Sequence, residues 1–154
     1  MLEVINLSAE AYRGVIPEDC WHEPYMPASE LAAELAAGVV FWGYEVDGEL
    51  IGVMGIQPVR DVELIRHAYV APGHQRAGVG AALLEQLVGL VSPSRPILVG
   101  TWAAAEWAIR FYERHGFSLE GRERTVALLR EYWTIPDRQI DTSVVLSRPP
   151  LDGR

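Results

Sequence analysis

Residues 69–91 read Tyr69-Val70-Ala71-Pro72-Gly73-His74-Gln75-Arg76-Ala77-Gly78-Val79-Gly80-Ala81-Ala82-Leu83-Leu84-Glu85-Gln86-Leu87-Val88-Gly89-Leu90-Val91. An apolar strand end, a glycine-punctuated loop and a helical repeat follow one another in that stretch. Gly78 and Gly80 lack a Cβ, so the backbone there can take unusual dihedrals and come close to a ligand. The helix that follows opens with N–H groups that have no partner inside it, and its dipole places partial positive charge at that end. Together they form a cradle for an anion, and a pyrophosphate fits there without any lysine.

Working outward, residues 39–46 and 49–56 are β-branched and aromatic runs joined by Asp47-Gly48, which predicts an antiparallel hairpin. Val62 to Val70 predicts a third strand, stopped by Pro72. Before the hairpin, residues 29–38 predict a short helix capped by Ser29 and ended by Gly38. After the loop, Ala81, Leu84, Val88 and Val91 recur at helical spacing and predict the sheet-facing stripe. Pro93 and Pro96 end that helix. Residues 97–100 form a brief strand, and 104–115 a helix with Ala104, Ala108, Phe111 and His115 as its stripe and Gly116 as its C-cap. Further on, 117–120 reads as a strand, 122–133 as a mixed helix or loop, 140–146 as the last strand and 148–154 as a frayed tail.

At 154 residues and 49% hydrophobic content, the chain can build one well-buried core. We therefore expect one domain over residues 1–147. All 13 basic residues are arginine, set against 21 acidic ones, for a net charge of −8. That balance argues against binding nucleic acid through its phosphates. Cys20 is the only cysteine, so no internal disulfide forms. The opening residues lack the basic segment and apolar run of a secretory signal, and no stretch approaches the roughly 20 apolar residues of a membrane span. The expectation is a cytoplasmic protein without membrane contact. No histidine or cysteine cluster has zinc spacing, so no metal is expected.

Several kinds of protein place a glycine loop before a helix. A nucleoside triphosphate loop needs Gly-Lys-Ser or Gly-Lys-Thr, and neither is present. A dinucleotide fold places its glycines at the start of a βαβ unit, whereas here they follow antiparallel strands. Gln75-Arg76-Ala77-Gly78-Val79-Gly80 instead fits Q/R-x-x-G-x-G/A, and here the chain resembles the GCN5-related N-acetyltransferase (GNAT) family. The segment from Ala108 through Phe111-Tyr112 to Gly116-Phe117 is similar to that family's second signature.

The resemblance implies an α+β fold, with a mixed, mostly antiparallel sheet of about seven strands flanked by helices and splayed at the cofactor site after Val70. It also implies acetyl-coenzyme A as cofactor and direct acetyl transfer to a primary amine on a small molecule or peptide. Rival readings are an acyl-coenzyme A sensing module and a transferase for a longer acyl donor. The cofactor contacts implied are Tyr69, Val70, Gln75, Arg76, Ala77, Gly78, Val79, Gly80, Ala81 and Phe111, with the Val70 N–H turned to the thioester carbonyl. The chain departs from the family at Ala105, where an asparagine is common.

By the same resemblance Tyr112 is the general acid, protonated at neutral pH because a phenol titrates near 10. The alternative is an aromatic that only packs beside Phe111. Two side chains on the strand leading to Val70 are candidate bases. An unperturbed imidazole titrates near neutrality, which suits His67 to the role, and Glu63 shares its face by the two-residue period. A structural imidazole and a solvated strand end are the alternatives. Arg66 is expected on the opposite face, as a salt-bridge partner. Trp21, Glu23 and Tyr25 fall where the family walls its acceptor pocket, and Tyr132 and Trp133 are candidates for the other side. An acetyl-cysteine route through Cys20 would need a lowered thiol pKa and a partner base; His22 stands two residues away, but direct transfer needs fewer assumptions. Exposed apolar residues on the last strand are a candidate surface for a homodimer.

Overall fold

The computed structural model describes residues 1–75 and 77–149. Helix α1 (Leu2–Ser8) leads through 3-10 turns at Ala9–Tyr12 and Glu18–Cys20 to α2 (Ala28–Ala36). The hairpin strands β1 (Val40–Val46) and β2 (Glu49–Val59) follow, then β3 (Val62–Val70) and α3 (Val79–Leu90). The chain continues through β4 (Ile97–Trp102), α4 (Glu106–Arg114), β5 (Ser118–Leu119), α5 (Arg122–Tyr132), α6 (Asp137–Asp141) and β6 (Ser143–Arg148).

Six strands form one sheet in the order β1-β2-β3-β4-β6-β5, where about seven were expected. Every pairing is antiparallel except β3 with β4. Asp47 and Gly48 have φ of 52° and 80°, the two positive values that a tight turn matched to strand twist requires.

Helix α3 lies close against β2 because Gly52 has no side chain. A Cβ there would come 2.7 Å from Val79 Cγ1 and 3.2 Å from Leu83 Cδ1. Val79, Leu83, Leu84 and Leu87 are the buried residues of α3, so the stripe is rotated from the expected Ala81, Leu84, Val88 and Val91. Together with Ile65, Val99, Tyr112 and Phe117 they form the core on one face of the sheet. On the other face Leu64, Leu98 and Val145 pack against Leu128 and Leu129 of α5 and Ile140 of α6. A third cluster joins Ile5, Met26, Leu31 and Val53.

Several boundaries correct the sequence reading. Pro27, not Ser29, caps α2, with no side-chain hydrogen bond. Helix α4 begins after Ala105 and buries Tyr112, while Phe111 is half-buried and Ala104 exposed. Residues 122–132 are one continuous helix. Ile140 belongs to α6, which Pro136 opens, so the last strand starts at Ser143 and runs to Arg148, the first residue of the expected tail. Residues 150–154 lie outside the described part. Strand β6 is interior to the sheet, between β4 and β5. The exposed apolar strand residues sit instead on the open edge strands, at Val40, Trp42 and Val46 of β1 and Leu119 of β5.

Candidate active site

The parallel rungs between β3 and β4 end at Ile65 and Val99, although β3 runs on to Val70 and β4 to Trp102. The strands part there, earlier than the expected opening after Val70. A β-bulge accounts for the bend. Val53 faces Tyr69 and Gly55 faces Arg66, so β3 carries one extra residue, and His67 within it has a φ of 57°. A cleft of about 1330 Å³ passes through the gap, larger than the roughly 300–1,000 Å³ of an ordinary small-ligand site.

The Ala71 N–H donates to Ile51 O at 2.8 Å. Residues 71 and 51 are thus the hydrogen-bonded rung, and the next pair, Val70 and Gly52, is the non-bonded one. The Val70 N–H and C=O are therefore turned out into the gap. Gln75 Nε2 donates to that carbonyl at 3.4 Å.

Gly78 caps α3 with a φ of 80°, and nothing lies within 4 Å of where its Cβ would stand. Gly78, Val79, Gly80 and Ala81 contribute the first amides of the helix, before Ala82 N–H donates to Gly78 O at 3.0 Å. Ala77, expected among the donors, instead gives its N–H to His74 O at 3.2 Å. Arg76 lies outside the described residues. Phe111 forms the wall beside the cradle, 3.4 Å from a Cβ built on Gly80.

Tyr112 lines the cleft at 5% exposure, its ring edge-on to Phe111 and Phe117. Burial, reinforced by nearby Tyr12, raises its phenol well above the ordinary value, so it stays protonated. Across the gap, Trp102 Nε1 donates to the Tyr25 hydroxyl at 2.9 Å. Tyr69, at the end of β3, also lines this part of the cleft, and its ring lies 6.4 Å from that of Tyr12.

His67 and Glu34 both line the cleft, with His67 Nε2 2.8 Å from Glu34 Oε2. The hydrogen bond from His67 and the charge of Arg66, 3.1 Å away, hold the Glu34 carboxyl below the usual range. Arg66 thus shares a face with His67, against the expected alternation, because the bulge resets the period. Glu63 is not brought to this cleft. It lies near the start of β3, 3.1 Å from Arg95 Nε, and pairs across to Ile97.

Of the expected acceptor wall, Tyr25 lines the cleft, but Trp21 and Glu23 do not. Glu23 accepts hydrogen bonds from Trp21 Nε1 at 3.1 Å and Arg13 Nη2 at 2.8 Å, on the outer side of the loop. Trp133 lines the cleft, whereas Tyr132 turns away and donates to Asp61 at 2.7 Å. No group of acidic, histidine and cysteine residues with metal-binding geometry occurs among the described residues.

A family model for the acetyltransferase (GNAT) domain matches residues 37–119, the span from the start of the hairpin through β5. The chain belongs to the GNAT acetyltransferase family. No curated protein matches it in sequence. Among solved structures it is similar to the PaiA N-acetyltransferase of Thermoplasma acidophilum in complex with coenzyme A. The TM-score is 0.70 at 18% identity, over 95% of this chain and 88% of that one. A GNAT acetyltransferase of Elizabethkingia anophelis with acetyl-CoA bound matches at TM-score 0.60 and 18% identity, over 86% and 89%. The ribosomal-protein-S18-alanine N-acetyltransferase of Escherichia coli matches at TM-score 0.58 and 23% identity, over 89% and 83%. At these identities the likeness establishes the fold.

Within this GNAT fold, the sequence reading missed Tyr12, Thr101, Trp102, Trp107 and Glu34, all of which line the cleft. Glu34 fell inside the expected helix over residues 29–38, with no role read for it. Tyr12 and Trp107 stack 5.9 Å apart from distant parts of the chain, a contact that no local pattern announces.

Proposed function

We propose that this protein moves an acetyl group from acetyl-coenzyme A directly to a primary amine. The observation that carries the reading is that one cleft holds the outward-turned Val70 N–H, the α3 amide cradle and Tyr112 of α4. Two of the similar structures, one in complex with coenzyme A and one with acetyl-CoA bound, support the choice of donor. The cradle suits its diphosphate, because backbone amides and a helix dipole bind such a group without a cationic side chain.

Bound acetyl-coenzyme A supplies the activated thioester. The amides of Gly78 to Ala81 hold its diphosphate, and Phe111 bounds the cradle. The Val70 N–H stabilises negative charge on a carbonyl oxygen placed in the gap; a single preorganised donor of this kind is worth about 3–4 kcal/mol. The Tyr112 hydroxyl keeps its proton until the sulfur needs it. His67 accepts the proton of the acceptor's ammonium, directly or through one water, with Glu34 fixing its ring. Glu63 has no part, since Arg95 holds it at the far end of β3. Tyr25 forms the acceptor wall in place of the trio expected there. Self-association, where it occurs, follows the apolar edge of β1.

Calorimetry with coenzyme A and thiol release from acetyl-coenzyme A in the presence of amines test this reading together. Binding with amine-dependent release supports it; binding without release favours a sensing module, and no binding removes the proposal.

A further inference from the structure

We infer that the acceptor is a compact primary amine carried on an apolar or aromatic body, the arylalkylamine class, and not an aminosugar or the end of a protein chain. This deepens the acetyl-transfer reading and rests on it. The arm of the cleft beyond Val70 is walled by rings. Tyr12 lies 5.7 Å from Tyr25, 6.4 Å from Tyr69 and 5.9 Å from Trp107, the last at an interplanar angle of 27°. Ring faces hold an alkylammonium by cation–π attraction and an aryl body by stacking.

The polar groups of that wall are few beside its ring surface, and two of them are engaged with each other. Trp102 Nε1 donates to the Tyr25 hydroxyl at 2.9 Å, and the Tyr12, Tyr25 and Tyr69 rings crowd together around it. An aminosugar must find a partner for each hydroxyl that it desolvates, and this wall offers little in exchange. Charge is equally sparing. Asp19 is held by Arg138 and Glu34 by Arg66 and His67, whereas Glu30 forms no ion pair among the described residues. Glu30, exposed at the mouth of the cleft that Tyr25 also lines, leaves one carboxylate for one ammonium.

The rims of the cleft are also joined. Arg138 Nε and Nη2 reach the two Asp19 carboxylate oxygens at 2.8 and 3.2 Å, tying the Glu18–Cys20 turn to α6. Both residues line the cleft, so a peptide laid through that end would have to break the pair. A small amine passes without doing so.

The test uses the full chain with acetyl-coenzyme A and four acceptors: phenethylamine, spermidine, kanamycin and a short peptide with a free N-terminus. Thiol release and the mass of the acetylated product are followed. We expect kcat/KM for phenethylamine to exceed the other three by about tenfold or more, the scale on which pocket contacts discriminate. Trp107→Ala, at a position 45% exposed, should raise the phenethylamine KM about tenfold, the loss of one aromatic contact, and leave the coenzyme A dissociation constant within about twofold. A larger kcat/KM for spermidine, kanamycin or the peptide overturns the inference, as does an unchanged KM in the variant. Protein that binds coenzyme A and acetylates another amine but not phenethylamine overturns it and leaves acetyl transfer standing. Failure to bind coenzyme A overturns both.

Discussion

His67 Nε2 lies 2.8 Å from Glu34 Oε2, and that contact ties the bulge of β3 to α2. Arg66 Nη1 reaches the same oxygen at 3.1 Å. In a regular strand neighbouring side chains point to opposite faces. Here two consecutive residues converge on one carboxylate, because the extra residue in β3 rotates the chain between Arg66 and Tyr69. The same irregularity bends β3 away from β4 and opens the cleft, so the site and its Glu34 clamp share one cause.

Glu34→Ala leaves Arg66 and His67 without their shared acceptor. Loss of a partly buried, charge-assisted contact predicts a fall of about 1–3 kcal/mol in unfolding free energy at neutral pH. Because the folded-state pKa of Glu34 is depressed, its contribution is fully present above the unfolded value of about 4.3 and is lost as pH falls through the lower folded value. Urea unfolding of both proteins should therefore differ most at neutral pH, with the gap closing below about pH 4.

Tyr112→Phe keeps the ring that packs on Phe111 and Phe117 and removes only the hydroxyl. We expect kcat to fall about 10²–10⁴-fold, the usual worth of a positioned proton donor, with little change in coenzyme A affinity. Because its pKa is raised, the wild-type enzyme should show no loss of kcat through Tyr112 deprotonation up to about pH 10. Stopped-flow thiol release over that range checks both outcomes.

How far the sequence could be read depended on the range of the interactions involved. Asp47-Gly48 and the limits of β3 follow from turn chemistry and β-branched runs, both local, and the structure places them as expected. The turn into α3 was equally readable, since Gly78 and the helical residues after it are consecutive. The bulge at His67 was not, because its register is set by β2 and by Glu34 from α2. Carrying a two-residue period across it put Glu63 beside His67 and Arg66 opposite, and both placements fail. In α4 the buried face passes through Tyr112 rather than Phe111 because the helix begins after Ala105, a boundary that an alanine run does not mark. Tyr25 was found by its position in the acceptor loop, but Tyr12, its ring neighbour at 5.7 Å, was not.

Gly78→Val tests the cradle. Its φ of 80° suits glycine, and although a side chain there would meet no atom within 4 Å, the backbone must strain or move. A left-handed conformation costs a residue with a Cβ about 1–2 kcal/mol, so the melting temperature should drop by several degrees. If the chain relieves that strain by reshaping the loop, the amides of Val79 to Ala81 lose their common aim. The coenzyme A dissociation constant measured by calorimetry should then rise at least about tenfold, equivalent to losing about one hydrogen bond. An unchanged affinity would mean that the diphosphate lies elsewhere.

His67→Gln and Glu63→Gln separate the two candidate bases. His67 stands on the cleft at the bulge, whereas Glu63 is held by Arg95 some distance down β3. Glutamine at 67 keeps a polar side chain near Glu34 but cannot take up a proton, so kcat/KM at neutral pH should fall about 10²–10⁴-fold. The loss should shrink at high pH, where more of the acceptor amine is already neutral and the base is needed less. Glutamine at 63 removes the charge facing Arg95 and should lower stability modestly, with kcat/KM within about twofold of wild type, because nothing it touches reaches the gap. A large rate loss at Glu63 with none at His67 would reverse the roles and require the acceptor to approach β3 from its opposite end.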